Sequence, residues 1–246
     1  MGGVRLRQVA VASLDGHEVF DQLQAIFGLS SGYRDPGVAE FGLENNVFAV
    51  GDQFLELVRP VTHEAAVWRF LEKKGVRGAG YMVVLEVDDV APFSARAQAS
   101  GCRVVLGADS DTWSTLHLHP RDMGSLVSVD HDKRGEWAPA GPDWRGHSRA
   151  SALSGIAGVR IAAAAADPDA MASRWAAFLG IPHSAGGRLR LGRGTIEFVA
   201  AASGSEGLVA VDLCASHERR VGECHTIAGT EFRIVKAPSA RVARGW

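Results

Sequence analysis

Glu56 is the residue whose surroundings most strongly suggest chemistry. It lies in the peptide FLELVRPV at residues 54–61, with apolar side chains on both sides. A carboxylate in an apolar strand is costly unless it is paired or used, and desolvation raises its pKa toward the working range of a general base. We therefore interpret Glu56 as a proton-transfer group. The structural alternative is a salt bridge from Glu56 to Arg5, Arg7 or Arg59.

His117 and His119 are a second candidate for chemistry, in the peptide STLHLHPRDMG at 114–124. Side chains two residues apart on a strand face the same way. The pair could therefore bind a metal, or His117 could act as a general acid or base near neutral pH. The structural alternative is that His119 caps the backbone of the HPRD turn while His117 packs.

Glu56 and His117 need strands to hold them, and the apolar spacing predicts such strands. Alternating apolar residues predict strands, and apolar residues three and four apart predict helices. Between residues 4 and 130 the same order of elements occurs twice. The predicted strands are 4–13, 38–50, 53–59, 81–87, 102–106, 113–119 and 125–130, and the predicted helices are 17–27, 63–74 and 90–100.

The second half repeats this plan in abbreviated form. The predicted elements are strands at 158–166, 207–215 and 230–235, a hairpin at 189–201 and a helix at 168–179. Between the halves, residues 131–150 are rich in charged residues, proline and glycine, which is typical of a linker. Trp137 and Trp144 predict that this linker packs against the protein. The predicted division is a first domain at 1–133, a linker at 134–152, a second, degenerate domain at 153–236 and a loose tail at 237–246.

The composition limits the classes of function. The chain has 246 residues, 46% of them hydrophobic, which is enough for two domains with substantial cores. The net charge is −2 without blocks of like charge, so the basic surface of a nucleic-acid binder is absent. The alanine run 162–166 is far shorter than the roughly 20 residues of a membrane span. Three cysteines without CxxC spacing suggest neither a disulfide framework nor a zinc site. We predict a cytoplasmic protein with a small-molecule ligand and no nucleic-acid or membrane partner.

Four peptides, in order, resemble the vicinal-oxygen-chelate superfamily (glyoxalase I, bleomycin resistance proteins, extradiol dioxygenases), and most closely methylmalonyl-CoA epimerases. They are QVAVASLD at 8–15, FLELVRPV at 54–61 with WRFLEKKG at 68–75, GYMVVLEVDDV at 80–90 and HPRDMG at 119–124. The resemblance covers roughly 4–130 and extends more loosely through 158–180, 195–201 and 230–235. It implies an α+β fold in which tandem βαβββ modules form curved mixed sheets around a cup.

In this superfamily four inward positions of the cup hold a divalent metal, which stabilises an enolate. The resemblance places these positions on Gln8, Glu56, Met82 and Ser128, or on Val129 without a gap. Gln8 and Glu56 can ligate a hard cation, but the thioether of Met82 is a poor ligand. Tyr81, next to Met82, is predicted to point to the opposite face. The implied metal site is therefore degenerate, or it is rebuilt from Gln8, Glu56, His117 and His119.

The resemblance places the corresponding positions of the second half on Arg160, Glu197, Leu208 and Arg233. Two arginines repel a cation but can hold a carboxylate or phosphate through forked hydrogen bonds. The structural alternative is that Glu197 pairs with one or both arginines and closes a vestigial cup.

The resemblance implies a glyoxalase- or epimerase-like enzyme, a lyase or isomerase acting next to a carbonyl of a small carboxylate or acyl thioester. Glu56 would transfer the proton, and Gln8 and His117 would orient the substrate oxygen. The residues expected to contact substrate are Gln8, Met82, Ser128, Arg160, Glu197 and Arg233. The alternative is a non-catalytic small-molecule binding protein of the sequestering, resistance type, which needs an apolar cup but no metal. Four modules in one chain leave both monomer and homodimer open.

Overall fold

Two mixed β-sheets, one from each half of the chain, form the protein. The computed structural model describes residues 3–148, 152–163, 167–183, 186–202 and 206–237. The first half contains β1 Arg5–Ser13, α1 Gly16–Phe27, β2 Leu43–Val50, β3 Gln53–Pro60, α2 Ala66–Lys74, β4 Gly78–Glu86, α3 Ala91–Ala99, β5 Val104–Asp109, β6 Trp113–Leu118, α4 Pro120–Met123 and β7 Leu126–Asp132. The second half contains α5 Trp144–Ser148, β8 Leu153–Ala163, α6 Pro168–Leu179, β9 Arg188–Arg190, β10 Thr195–Ala200, β11 Gly207–Ala215, β12 Cys224–Ile227 and β13 Thr230–Val235. The predicted α+β class is confirmed.

The strand order shows how the modules join. The first sheet has the order β2-β3-β1-β4-β7-β6-β5. Strand β1 is parallel to β3, β4 is parallel to β7, and β1 and β4 run antiparallel at the centre. Two modules therefore meet edge to edge at β1 and β4. The second sheet, β12-β13-β11-β8-β10-β9, repeats this arrangement around β8 and β11 with fewer strands.

The core lies between the two sheets. Alternate residues of the central strands, such as Val9 and Val83 from the first sheet and Val159 and Val211 from the second, belong to one buried apolar cluster. The sheets approach closely at Gly80, where a Cβ atom would lie 2.1 Å from the carbonyl oxygen of Leu208, so glycine is required there. The other face of the first sheet is turned away from the second sheet and forms the cup.

Gln53 connects the backbones of the two sheets. It is 1% exposed, its Nε2 donates to the carbonyl oxygens of Leu6 at 2.9 Å and Ile156 at 3.0 Å, and its Oε1 accepts from the Ile156 N–H at 2.8 Å. Because Leu6 lies on β1 and Ile156 on β8, a single side chain satisfies buried backbone groups in both sheets.

We predict that Gln53→Ala lowers the free energy of unfolding by about 2–3 kcal/mol, because a buried unsatisfied group costs about 1–3 kcal/mol. Urea unfolding followed by circular dichroism measures the change. Gln22→Ala is the matched control, since Gln22 bonds only to the Glu18 side chain on the exposed surface of α1. A loss at Gln53 no larger than at Gln22 would contradict this role.

Three predicted elements differ in the structure. The strand predicted at 38–50 begins only at Leu43, because Pro36–Phe41 forms a 3-10 helix whose first turn is capped by Asp35, which accepts from the Gly37 N–H at 2.9 Å. Strand β8 begins at Leu153, before the predicted residue 158, and residues 164–166 lie outside the described residues. The short polar strand β12 was not predicted.

Glycine residues end two of the helices. Gly28 and Gly180 end α1 and α6 in the left-handed conformation. The predicted loose tail lies outside the described residues except for Ala237. Within the described ranges, no helix is both long and apolar enough to cross a membrane.

Candidate functional site

The cup presents two adjacent rows of side chains across the first sheet. Pairing of the strands places Phe54, Gln8, Val84, Ser128 and His117 in one row. The next row contains Glu56, Ala10, Met82 and Leu126. The structure therefore brings the four positions taken from the resemblance onto one face. Of the two alternatives on β7, Ser128 faces the cup, and Val129 belongs to the core between the sheets.

Glu56 is a buried carboxylate held by two neutral donors. It is 8% exposed. Gln8 Nε2 donates to its Oε2 at 2.8 Å, and Asn45 Nδ2 donates to its Oε1 at 2.7 Å. Burial raises the pKa of Glu56 above its ordinary value, and the two amide hydrogen bonds oppose this effect. Asn45, which reaches Glu56 from the next strand, was not identified from the sequence.

The alternative salt bridge to Glu56 is wrong. Arg5 and Arg7 both pair with Glu86, and Arg59 pairs with Glu44. Among the residues that the structure describes, no lysine or arginine forms an ion pair with Glu56. The negative charge of Glu56 is therefore oriented by amides but not neutralised.

Tyr81 lies on the side of the sheet that carries Glu56, contrary to the prediction. The pairing of β1 with β4 passes from Ala10–Met82 to Val11–Gly80, so a bulge omits Tyr81 from the register. The tyrosine packs with Ala12 and residues of α2, and its ring lies edge-on to Phe70 at 5.3 Å. Burial raises the pKa of Tyr81 to about 12, and the charge of Glu56 adds to this shift. Tyr81 remains a protonated donor near Glu56 at neutral pH.

His117 and His119 do not share a strand face. Strand β6 ends at Leu118. His119 begins α4, and its Nδ1 accepts from the Arg121 N–H at 3.1 Å, which confirms the predicted cap. His117 faces the cup, where burial lowers its pKa to about 4. A neutral imidazole at pH 7 can donate one hydrogen bond, but its imidazolium form is not populated.

The side chains in the cup do not form a suitable set of ligands for a divalent metal. Both oxygens of Glu56 accept from amide groups, and Gln8 Oε1 accepts from the indole N–H of Trp137 at 3.0 Å. Met82 contributes a thioether, and the Ser128 hydroxyl donates to Asp130 at 2.6 Å. No three His, Cys, Asp or Glu side chains among the described residues are grouped so that they could hold a metal. We derive no step through such an ion.

Asp130 is a second ionisable group in the cup that the sequence reasoning missed. It follows Ser128 by two residues on β7 and accepts from the hydroxyls of Ser128 and Thr115. Burial raises the pKa of Asp130 to about 6, and the neighbouring Glu86 carboxylate adds to the shift. The alternation of SLVSVD, which places residues 126, 128 and 130 on one face, was the signal that could have identified it.

Asp130→Asn is predicted to stabilise the protein at high pH. The pKa of Asp130 rises from 3.8 to about 6 on folding, so its contribution to stability is complete below pH 3.8 and is lost as the pH rises through 6. The amide that replaces the carboxyl can still accept both hydroxyls and carries no charge to desolvate. We therefore expect the substitution to raise the free energy of unfolding by about 1–3 kcal/mol at pH 8 and to have no effect near pH 4. Urea unfolding at both pH values measures this.

Asp122→Asn is a control of opposite sign for that prediction. Asp122 pairs with Arg103, whose hydrogen bond lowers the pKa of Asp122 to about 2. Its replacement should therefore lower stability at pH 8. Equal effects of the two substitutions at pH 8 would contradict the assignment of Asp130 as a desolvated carboxyl.

The linker fills the part of the cup beside Gln8. We call residues 133–148 the linker segment. Its Trp137 and Trp144 are buried, as the sequence predicted, and they pack with Phe54 and Val84 of the cup. The row of Glu56 lies on the other side of Gln8, where Met82 and Leu126 are partly exposed. A cavity of about 440 Å³ opens beside the linker segment and is lined in part by Tyr33, Trp113 and Glu136.

The outer face of the second sheet carries paired charges. Arg160 Nε donates to Glu197 at 2.7 Å, Arg188 lies 3.3 Å from the same carboxylate, and Arg233 pairs with Asp212. The alternative in which Glu197 pairs with an arginine is thus observed for Arg160. An anionic ligand would have to displace these carboxylates.

Leu208 does not lie with these charges. The bulge between Leu208 and Ala210 turns Leu208 into the core between the sheets. Asp212, which the sequence reasoning missed, faces the arginines in its place. The bulge left no signal in the sequence, because residues 208–211 (LVAV) are all apolar and do not show which of them face the core.

The chain is similar to known proteins at the level of solved structures. No protein-family model and no curated protein matches it. Among solved structures, a methylmalonyl-CoA epimerase from Streptomyces coelicolor, in complex with 2-nitronate-propionyl-CoA, is 20% identical, with a TM-score of 0.46 over 52% of this chain and 97% of the epimerase. Methylmalonyl-CoA epimerase from Mycobacterium tuberculosis is 18% identical, with a TM-score of 0.45 over 52% and 87% of the two chains.

Proposed function

We propose that the protein catalyses proton transfer at the carbon next to a carbonyl group, with Glu56 as the base. The observation that carries this proposal is the state of Glu56: a buried carboxylate oriented by Gln8 and Asn45, with no lysine or arginine of the described residues paired to it. Two neutral amides fix the direction of the carboxylate but leave its charge uncompensated, and burial raises its pKa. Such a group is a stronger base than a solvated carboxylate.

Neutral donors near Glu56 support a role in stabilising an enolate. Removal of the proton moves negative charge onto the carbonyl oxygen, which fixed hydrogen-bond donors stabilise. Tyr81, with its pKa of about 12, keeps its hydroxyl proton. His117, whose pKa is about 4, is a neutral imidazole on the opposite side of the central strands. Tyr81, on the same side of the sheet as Glu56, can donate one hydrogen bond to the developing oxyanion, whereas His117, on β6, can contact only a more distant part of the substrate.

The substrate class in this proposal comes from the sequence resemblance: a small carboxylate or an acyl thioester. The test is exchange of the α-hydrogen in D2O, followed by proton NMR, over a panel of 2-substituted acyl thioesters and free carboxylates. We expect exchange that rises with pH to a plateau, because only ionised Glu56 can accept the proton. The midpoint should lie above the ordinary glutamate pKa of 4.5. No exchange with any member of the panel would overturn the proposal.

A second candidate function is binding without catalysis. The aromatic side chains that line the cup favour it: Phe54, Trp113 and Trp137 lie in one cluster, with ring centroids 4.8–6.1 Å apart. Aromatic rings supply contact area to an apolar ligand without requiring a base. Saturable ligand binding together with no exchange would favour this candidate over the enzyme.

A further inference from the structure

Trp137 occupies a pocket in the cup that resembles a ligand-binding site. We call this pocket, formed by Phe54, Gln8, Trp113 and Arg7, the seat of Trp137. Its ring stacks on Phe54 with centroids 6.1 Å apart and an angle of 3°, and it lies 4.8 Å from the ring of Trp113. Its indole N–H donates to Gln8 Oε1 at 3.0 Å. Phe54, Gln8 and Trp113 belong to β3, β1 and β6, so three strands of the cup surround one ring of the linker segment.

Arg7 adds a cation to this seat. Its guanidinium carbon lies 4.9 Å from the ring centroid of Phe54, 4.8 Å from that of Trp137 and 5.4 Å from that of Trp144. The side chain is only 4% exposed, and an ion pair with Glu86 fixes it at 3.0 Å. A desolvated guanidinium over a ring favours aromatic occupants over aliphatic ones of similar size.

The linker segment is attached to the backbone next to β6 at its first residue, where the Lys133 N–H donates to the carbonyl oxygen of Thr112 at 3.0 Å, and beyond that residue it contacts the cup through side chains. In the described part of residues 134–146, the backbone N–H groups that bond to carbonyls do so within the segment or to Asp132. Trp137 itself has φ of 51° and ψ of 61°, the left-handed region that is strained for a bulky residue. Departure of the ring would break its hydrogen bond to Gln8 but no backbone hydrogen bond between the strands.

Open space beside the linker segment gives it somewhere to move. Two cavities, of about 440 and 420 Å³, both touch Tyr33, Glu136 and Ala138. The larger cavity also touches Trp113, the ring beside Trp137.

We propose that the seat of Trp137 is a binding subsite for a planar aromatic ring that carries an N–H or O–H donor, and that Trp137 fills it until such a ligand displaces the linker segment. Gln8 joins this subsite to the base, because its Oε1 accepts from the ring while its Nε2 donates to Glu56. The ligand would thus be a carbonyl compound with an aromatic end. The statement that the ligand has a carbonyl group, with its reacting carbon at Glu56, rests on the proposed function, whereas the ring subsite does not.

Indole binding to Trp137→Ala tests the subsite. We expect isothermal titration calorimetry to show indole binding at least tenfold more tightly to this variant than to the unaltered protein, since the competing ring is gone. 1-Methylindole, which lacks the N–H, should bind about fivefold more weakly than indole, the effect of one hydrogen bond. Trp68→Ala is the control: Trp68 lies on α2 with its ring tilted by 37° against that of His63, and its removal should create no indole site.

Trp137→Phe keeps the test decisive if the alanine variant does not fold. It retains a stacked ring without the hydrogen bond to Gln8, so indole should bind it more tightly than it binds the unaltered protein. Indole binding that is unchanged in whichever of these variants folds, or equal affinity for indole and 1-methylindole, would overturn the proposal. If no substrate exchanges its α-hydrogen but Trp137→Ala binds indole as expected, the proposed enzyme activity is wrong and the subsite stands. If exchange occurs but indole binding is unchanged by the substitution, only the subsite is wrong.

Discussion

Glu56→Gln is expected to reduce α-hydrogen exchange by about 100- to 10,000-fold, the range by which a positioned general base accelerates proton transfer. Glutamine has nearly the shape of glutamate, but its single oxygen can accept from only one of the Gln8 and Asn45 amides, and its NH2 group then faces the NH2 group of the other. What is lost is the charge that accepts the proton. The rate of deuterium incorporation by proton NMR, at substrate concentrations above and below KM, measures the effect.

Glu44→Gln is the matched control for this result. Glu44 lies on β2 beside the strand of Glu56, but its side chain is exposed and pairs with Arg59 at 2.7 Å. The same chemical change there should leave the exchange rate within about twofold, because exposed ion pairs contribute little. Equal exchange in Glu56→Gln and the unaltered protein would remove Glu56 from the reaction.

Trp137→Ala is expected to lower the free energy of unfolding by about 3 kcal/mol. The ring is 1% exposed, and loss of a buried tryptophan side chain typically costs about 3–5 kcal/mol. Alanine adopts the left-handed backbone of residue 137 with less strain than tryptophan, which offsets part of this loss. Urea unfolding measures the change.

Two further variants separate the contributions to that loss. Trp137→Phe keeps a ring against Phe54 but removes the hydrogen bond to Gln8 and one ring of the buried indole, so we expect it to cost about 1–2 kcal/mol. Trp68→Ala, on the partly exposed side of α2, should cost less than Trp137→Ala. If Trp137→Ala lowers the free energy of unfolding no more than Trp68→Ala does, the packing of the linker segment against the cup does not stabilise the protein.

Much of the fold could be predicted from the sequence, because strands and helices show themselves through side-chain spacing. Residues 168–179, 207–215 and 230–235 agree with the predicted elements to the residue. The position of Glu56 and Gln8 on one face follows from the same alternation of side chains. This spacing depends only on residues close in sequence, so it is present even in the second half, whose sheet has fewer strands.

The bulges could not be predicted, and they changed the site most. One extra residue in β4 turns Tyr81 toward Glu56, and another in β11 turns Leu208 into the core. A bulge arises from the pairing of two strands that are distant in sequence, so neither strand shows it alone. Asn45 and Asp130 were missed for a similar reason, since their partners come from other strands.

The position of the linker segment was the feature that the sequence indicated least. Its two tryptophans predicted that it packs, but nothing in residues 131–150 indicates where. The destination depends on the shape of a cup that forms from seven strands, and on the aromatic rings that those strands place in it.

Titration of Glu56 tests most directly whether the cup holds a desolvated, uncompensated carboxylate. The protein is labelled with 13C at the glutamate carboxyl carbon, and the Glu56 resonance is identified by its absence from Glu56→Gln. We predict a midpoint above 4.5, because burial in the cup raises the pKa of this group. A midpoint at or below 4.5 would show a solvated or charge-paired glutamate and would contradict its role as the base.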